Sequence, residues 1–157
     1  MQQRTLSLRA LAIPGAIAGL AGAFAIDLYL VITLVLVAHV ASLTTFYQYV
    51  ASGALGPAAY TSVTNAYLGV AIHLAVGVGW AIGYAYVAAR TPQVRDRPLL
   101  SGAVFGLVVM IAMQLVEVAG RIYILPDTLA FFNGVVAHVF FYGIPVAAIV
   151  KARFRRD

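Results

Sequence analysis

At 157 residues, 63% hydrophobic and 10% charged, with a mean hydropathy of +0.96, the chain has too little polar surface to cover a soluble globule of its size. A net charge of +5 would elsewhere suggest nucleic acid, but nine of the ten Lys and Arg residues fall in three clusters that border apolar runs, so no nucleic-acid partner is expected. Cysteine is absent, which excludes disulfides, Cys-ligated zinc and thiol redox chemistry.

Arg4 and Arg9 open the chain and are followed by the first apolar run, 11–40. Ala23-Phe24-Ala25 resembles a signal-peptidase site, but a run that continues to Val40 outlasts a signal peptide, so a spanning helix is expected. The next stretch, 41–67, holds no Lys or Arg. It is rich in tyrosine and broken at Gly56-Pro57, and the first helix is expected to run on past Val40 or to turn along the interface, where tyrosine rings are favoured. The second run, 68–89, ends at the cluster of Arg90, Arg95 and Arg97. The third, 99–120, leads to a short loop with the lone outlying cation Arg121, in which Pro126 and Asp127-Thr128 read as a helix start. The fourth, 129–150, ends at Lys151, Arg153, Arg155 and Arg156. Each run meets the requirement of about 20 apolar residues for a spanning helix. The chain therefore reads as one all-α domain, an integral membrane four-helix bundle in contact with the lipid bilayer. The positive-inside bias puts both termini and the Arg90 to Arg97 loop in the cytoplasm.

The first and third runs match at Gly15 and Gly102, Gly19 and Gly106, and Leu28 and Leu115; the second and fourth match at Gly69 and Gly134 and at His73 and His138. This pattern predicts two repeated helical hairpins in one orientation, with spans two and four diagonal. The spacings Gly15/Gly19, Gly79/Gly83 and Gly102/Gly106 predict close helix packing.

Ionisable groups at membrane depth are costly and therefore functional candidates. Counted from the cytoplasmic charges at about 1.5 Å per residue, Asp27, His73, Gln114, Glu117 and His138 lie at about 27, 26, 26, 30 and 20 Å, one polar layer in the outer half. Helical spacing puts His73 on a face with Gly69, Gly77, Trp80 and Tyr84, His138 with Gly134, Tyr142 and Pro145, and Glu117 with Gly106, Met110 and Gln114, all pointing inward. Pro145 is expected to kink the last helix near Phe141, and His39 to lie at the interface.

Three readings of the layer compete. His73 and His138 would bind a b-type haem, with room left by the glycines four residues either side of His73, or join Asp27 and Glu117 around a transition metal. Alternatively, Asp27 and Glu117 are protonatable carboxylates of a proton-coupled small-molecule or ion transporter, with Glu117 paired to Arg121. In the third, the polar groups bond one another and the protein is an accessory or structural subunit, alone as a homo-oligomer or beside a membrane-protein partner. The chain carries no G-x-S-x-G, H-E-x-x-H, P-loop or dinucleotide signature, so independent catalysis is not suggested.

The segment from His73 to Gly77 with Gly83-Tyr84, and its counterpart from Gly134 to His138 with Tyr142-Gly143, resembles the helices of small bacterial four-span membrane proteins of families without an assigned function. The resemblance implies a multi-pass protein of a bacterial cytoplasmic (inner) membrane and supplies no site residues.

Overall fold

His39 sits at φ 53, in the left-handed region that a non-glycine residue rarely adopts, and there the first membrane helix stops. The computed structural model of the protein describes residues 8–119 and 128–154, and every regular element among them is helical. Helix α1 (Leu8–Leu30) continues as a π-helical segment, Val31–Val37. Ser42 then caps a separate helix, α2 (Leu43–Leu55), by accepting from the Thr45 amide at 3.0 Å. A 3₁₀ turn, Gly56–Thr61, leads to α3 (Asn65–Arg90), α4 (Pro92–Asp96) and α5 (Pro98–Ala119). The chain closes with α6 (Thr128–Val136), a second π-helical segment, Ala137–Gly143, and α7 (Ile144–Phe154).

Four of these runs are long and apolar enough to cross a membrane: Leu11–Val37, Asn65–Arg90, Pro98–Ala119 and Thr128–Phe154. The fold is thus the expected all-α bundle of a multi-pass membrane protein. The first span does not run past Val40; the tyrosine-rich stretch forms α2 instead. Pro145 has no amide to bond Phe141, and the helix before it widens into π geometry, a looser turn at the place of the expected kink. Arg121, Pro126 and Asp127 lie outside the described residues, as do Arg4, Arg155 and Arg156.

The first span packs along α3, and α5 packs along α7 and the π segment before it. The two pairs join where α1 lies against that segment and α7. The backbones of α3 and α5 stay apart, so the second and fourth spans are diagonal; side chains of Tyr84, Phe105 and Ser101 join the second and third spans at one end, and the gap between them lies nearer α2. Where helices touch, glycine makes the contact. A Cβ on Gly15 would lie 2.7 Å from Ile82 Cα, one on Gly19 2.7 Å from Val78 Cα, and one on Gly102 2.7 Å from Ile144 Cα. Such approaches replace the hydrophobic effect, which does not act between helices in lipid, with van der Waals contact and hydrogen bonds. Gly79 and Gly83 depart from the expectation: nothing lies within 4 Å of where their side chains would be.

The glycine contacts also bear on the register of the two hairpins. Gly19 meets Val78 and the Gly77 carbonyl, whereas Gly106 meets Val139 and the His138 carbonyl. By these contacts His138 stands where Gly77 stands, about one helical turn from the His73 position to which the sequence matched it.

At the end that carries the chain termini, Tyr84 bonds Ser101 at 2.7 Å and Lys151 Nζ donates to the Asp96 carbonyl at 2.8 Å, tying α3, α4, α5 and α7 together. Helix α2 lies at the opposite end.

Candidate functional site

Between α3 and α5, under α2, lies a cavity of about 320 Å³. A smaller chamber of about 80 Å³ adjoins it toward Trp80 and Tyr142; His73, His138, Val76 and Met113 border both. Four of the five residues expected in the polar layer, His73, Gln114, Glu117 and His138, line the main cavity, and Asp27 stands immediately behind His73.

Asp27 is 7% exposed and is held from two sides. The Tyr47 hydroxyl donates to Oδ2 at 3.0 Å, and His73 Nε2 lies 3.0 Å from Oδ1. Nε2 and Oδ1 are close but poorly aligned for an imidazole N–H bond, and both are buried without another partner. Tyr47 reaches Asp27 because α2 rests on α3 with no side chain between them: its carbonyl abuts Gly69, the last position before His73 on that face of α3. The Tyr47 hydroxyl is pushed up to about 12 from 10.0, first by burial, then by the negative charge of Asp27 and the hydrogen bond to it.

Glu117 occupies the far wall and takes a hydrogen bond from Tyr49, which is two residues on from Tyr47 and so projects from a different side of α2. The same helix reaches α5 at Gly53, where a Cβ would lie 3.5 Å from Val116 Cγ1. One short helix therefore contacts both intramembrane acids and covers the cavity between them. The expected partner of Glu117, Arg121, lies outside the described residues.

His138 is oriented by its own helix. Its Nδ1 lies 2.9 Å from the Gly134 carbonyl, which can only accept, so Nδ1 carries the proton and Nε2 keeps its lone pair on the ring edge turned from the helix. Below it, Tyr142 donates to the Gly77 carbonyl at 2.5 Å, a bond between the diagonal helices.

Two expectations change with this geometry. The glycines flanking His73 do not leave room for a macrocycle: Gly69 is filled by the α2 backbone, and a Cβ on Gly77 would already lie 3.2 Å from Ala23 Cβ. The nitrogen of His73 that would face an iron is turned onto Asp27. The four groups considered for a transition metal do not converge either; among the described residues no three His, Asp or Glu side chains come close enough to hold an ion. His39 is exposed at the helix break and takes no part.

Sequence reasoning found the acids and histidines by depth but missed their tyrosine partners. Tyr47 and Tyr49 were placed among interfacial rings; the available signal was Ser42 three residues before Thr45, a cap that starts a helix long enough to turn both hydroxyls inward. Tyr142 gave no such signal, because its partner is a backbone carbonyl on another helix.

Comparison with protein-family models, with curated proteins and with solved structures found no match. The functional reading therefore rests on the cavity.

Proposed function

We propose that this is a binding protein of a bacterial cytoplasmic membrane that takes a small lipid-soluble molecule into the cavity between α3 and α5. The observation that carries the reading is the cavity itself: about 320 Å³, walled mainly by apolar side chains, with His73, Gln114, Glu117 and His138 converging on it. That is the size and character of a ligand pocket, a largely apolar space with a few placed polar groups. Both termini and α4 face the cytoplasm in this reading, following the Arg and Lys clusters. The two hairpins descend from a duplication, which their glycine contacts support although their histidines fall out of register.

The chain has a single tryptophan, Trp80, on the wall of the adjoining chamber. A brominated, membrane-soluble aromatic compound bound in the cavity quenches Trp80 fluorescence saturably in lipid nanodiscs. Quenching that only rises in proportion to the compound dissolved in the lipid, and is the same in a Gly53→Leu chain whose added side chain obstructs the cavity, defeats the proposal.

A second reading, a proton-coupled carrier, is favoured by the burial of Asp27 between His73 and Tyr47, where a proton can be held away from lipid. In proteoliposomes, uptake driven by a pH gradient and lost in Asp27→Asn supports that reading; uptake unchanged by the substitution removes Asp27 from any coupling role.

A further inference from the structure

The hydrogen-bond inventory of the cavity is lopsided. The Tyr49 hydroxyl is directed to Glu117, and the Nδ1 proton of His138 to Gly134. What remains on the wall are acceptors: His138 Nε2 and the second oxygen of Glu117, with the Gln114 amide offering one acceptor and one donor group. Among the described residues no lysine or arginine lines the space; His73 does, and its Nε2 is already set against the carboxylate of Asp27. Among the described residues an anionic head would find only His73, which already faces Asp27. A head with several donors and a positive charge would find an acceptor on each wall.

Resting on the reading of this cavity as a binding site, we infer that its ligand is an amphipathic organic cation, with a protonated amine between Glu117 and His138 Nε2 and an apolar body along Ile72, Val76 and Met113. Glu117, not Asp27, is the counter-ion, because Glu117 lines the cavity while Asp27 is enclosed by Tyr47 and His73. Charge-assisted bonds in a space that excludes water are the strong ones, so the carboxylate decides the preference.

The test uses the full chain in nanodiscs of zwitterionic lipid and three probes with one brominated phenylbutyl body: an ammonium, the uncharged methyl analogue and a carboxylate. Trp80 quenching, corrected for the Gly53→Leu chain, gives each affinity. The ammonium is expected to bind about ten-fold more tightly than the uncharged compound, with the carboxylate weakest. In Glu117→Gln, which still accepts from Tyr49, the preference of ammonium over the uncharged compound falls to near unity. An ammonium no tighter than the uncharged analogue, or a preference that survives Glu117→Gln, overturns the inference and leaves the cavity a general apolar site. If none of the three quenches saturably in the parent chain, the binding reading itself falls, and the inference with it.

Discussion

Replacing Gly69 by alanine adds one carbon at the tightest point between α2 and α3. That carbon would overlap the Tyr47 carbonyl oxygen and lie 2.8 Å from the carbonyl carbon and 3.3 Å from the Ala51 amide nitrogen. Restoring ordinary separations of about 3.5 Å from that oxygen requires α2 to withdraw by about 1.5 Å. Such a shift stretches the 3.0 Å bond from Tyr47 to Asp27 beyond hydrogen-bonding length. Whether the chain keeps the overlap or gives up the bond, the cost is about 1–3 kcal/mol. Charged to the docking of α2 alone, that changes the ratio of docked to undocked helix by about 5- to 150-fold. Because the chain has no cysteine, the docking can be read by one introduced pair, Gly53→Cys with Val116→Cys, which face each other across the 3.5 Å contact. Mild oxidation closes that pair rapidly in the parent background and slowly, or incompletely, with Gly69→Ala. Equal rates would refute the placement of α2 against α3, and with it the account of how Tyr47 finds Asp27.

Other expectations follow from the same contacts. Gly15→Ala and Gly102→Ala each force a helix pair apart and should destabilise the fold by about 1–3 kcal/mol in unfolding from mixed micelles, whereas Gly79→Ala, with open space around it, should be neutral or stabilising by up to about 1 kcal/mol. A loss of stability at Gly79 comparable to that at Gly15 would contradict the packing. Tyr47→Phe leaves Asp27 Oδ2 without its donor and should cost about 1.5–3 kcal/mol; an unchanged unfolding midpoint would remove that bond from the account. The raised value for Tyr47 also has a direction with pH. The folded chain holds that proton more tightly than the unfolded one, so the associated stability is fully present below pH 10 and is lost as pH rises toward about 12. In a 295 nm titration of the folded protein, Tyr47→Phe should therefore subtract absorbance from the component near pH 12, and subtraction near pH 10 would be the contrary result.

Much of the bundle was written in the order of apolar runs and basic clusters, because a spanning helix must satisfy all its backbone groups internally and show an apolar face to lipid over its whole length. Asp27, His73, Glu117 and His138 were legible for the complementary reason: an ionisable group in such a run stands out, and its distance from the flanking charges fixes its depth. What the sequence concealed was the content of the stretch between the first two spans. No periodicity announces that α2 turns back over the bundle; that depends on the left-handed residue at His39 and on the bare surface at Gly69, each meaningful only once both helices are in place. Matching His138 to His73 along the sequence also chose a partner one turn away from the one that packing chooses, a four-residue difference that the single extra residue of a π-helical turn at Ala137–Gly143 does not supply. Gly79 and Gly83 are the reverse case, a spacing suited to helix contact with no neighbour against either residue.

The side of the bundle between α3 and α5, bridged by side chains toward Tyr84 and Ser101, changes what concentration means for this protein. A molecule that reaches the cavity through that side arrives by diffusion in the plane of the bilayer, so occupancy follows its mole fraction in lipid and only indirectly its amount in water. For two compounds that fit equally well, the one that partitions ten times more strongly would appear ten times tighter in any assay plotted against aqueous concentration, and adding protein-free vesicles would weaken both. Selectivity would then be divided between two stages, the membrane admitting solutes by their greasiness and the wall sorting those already admitted by their head groups.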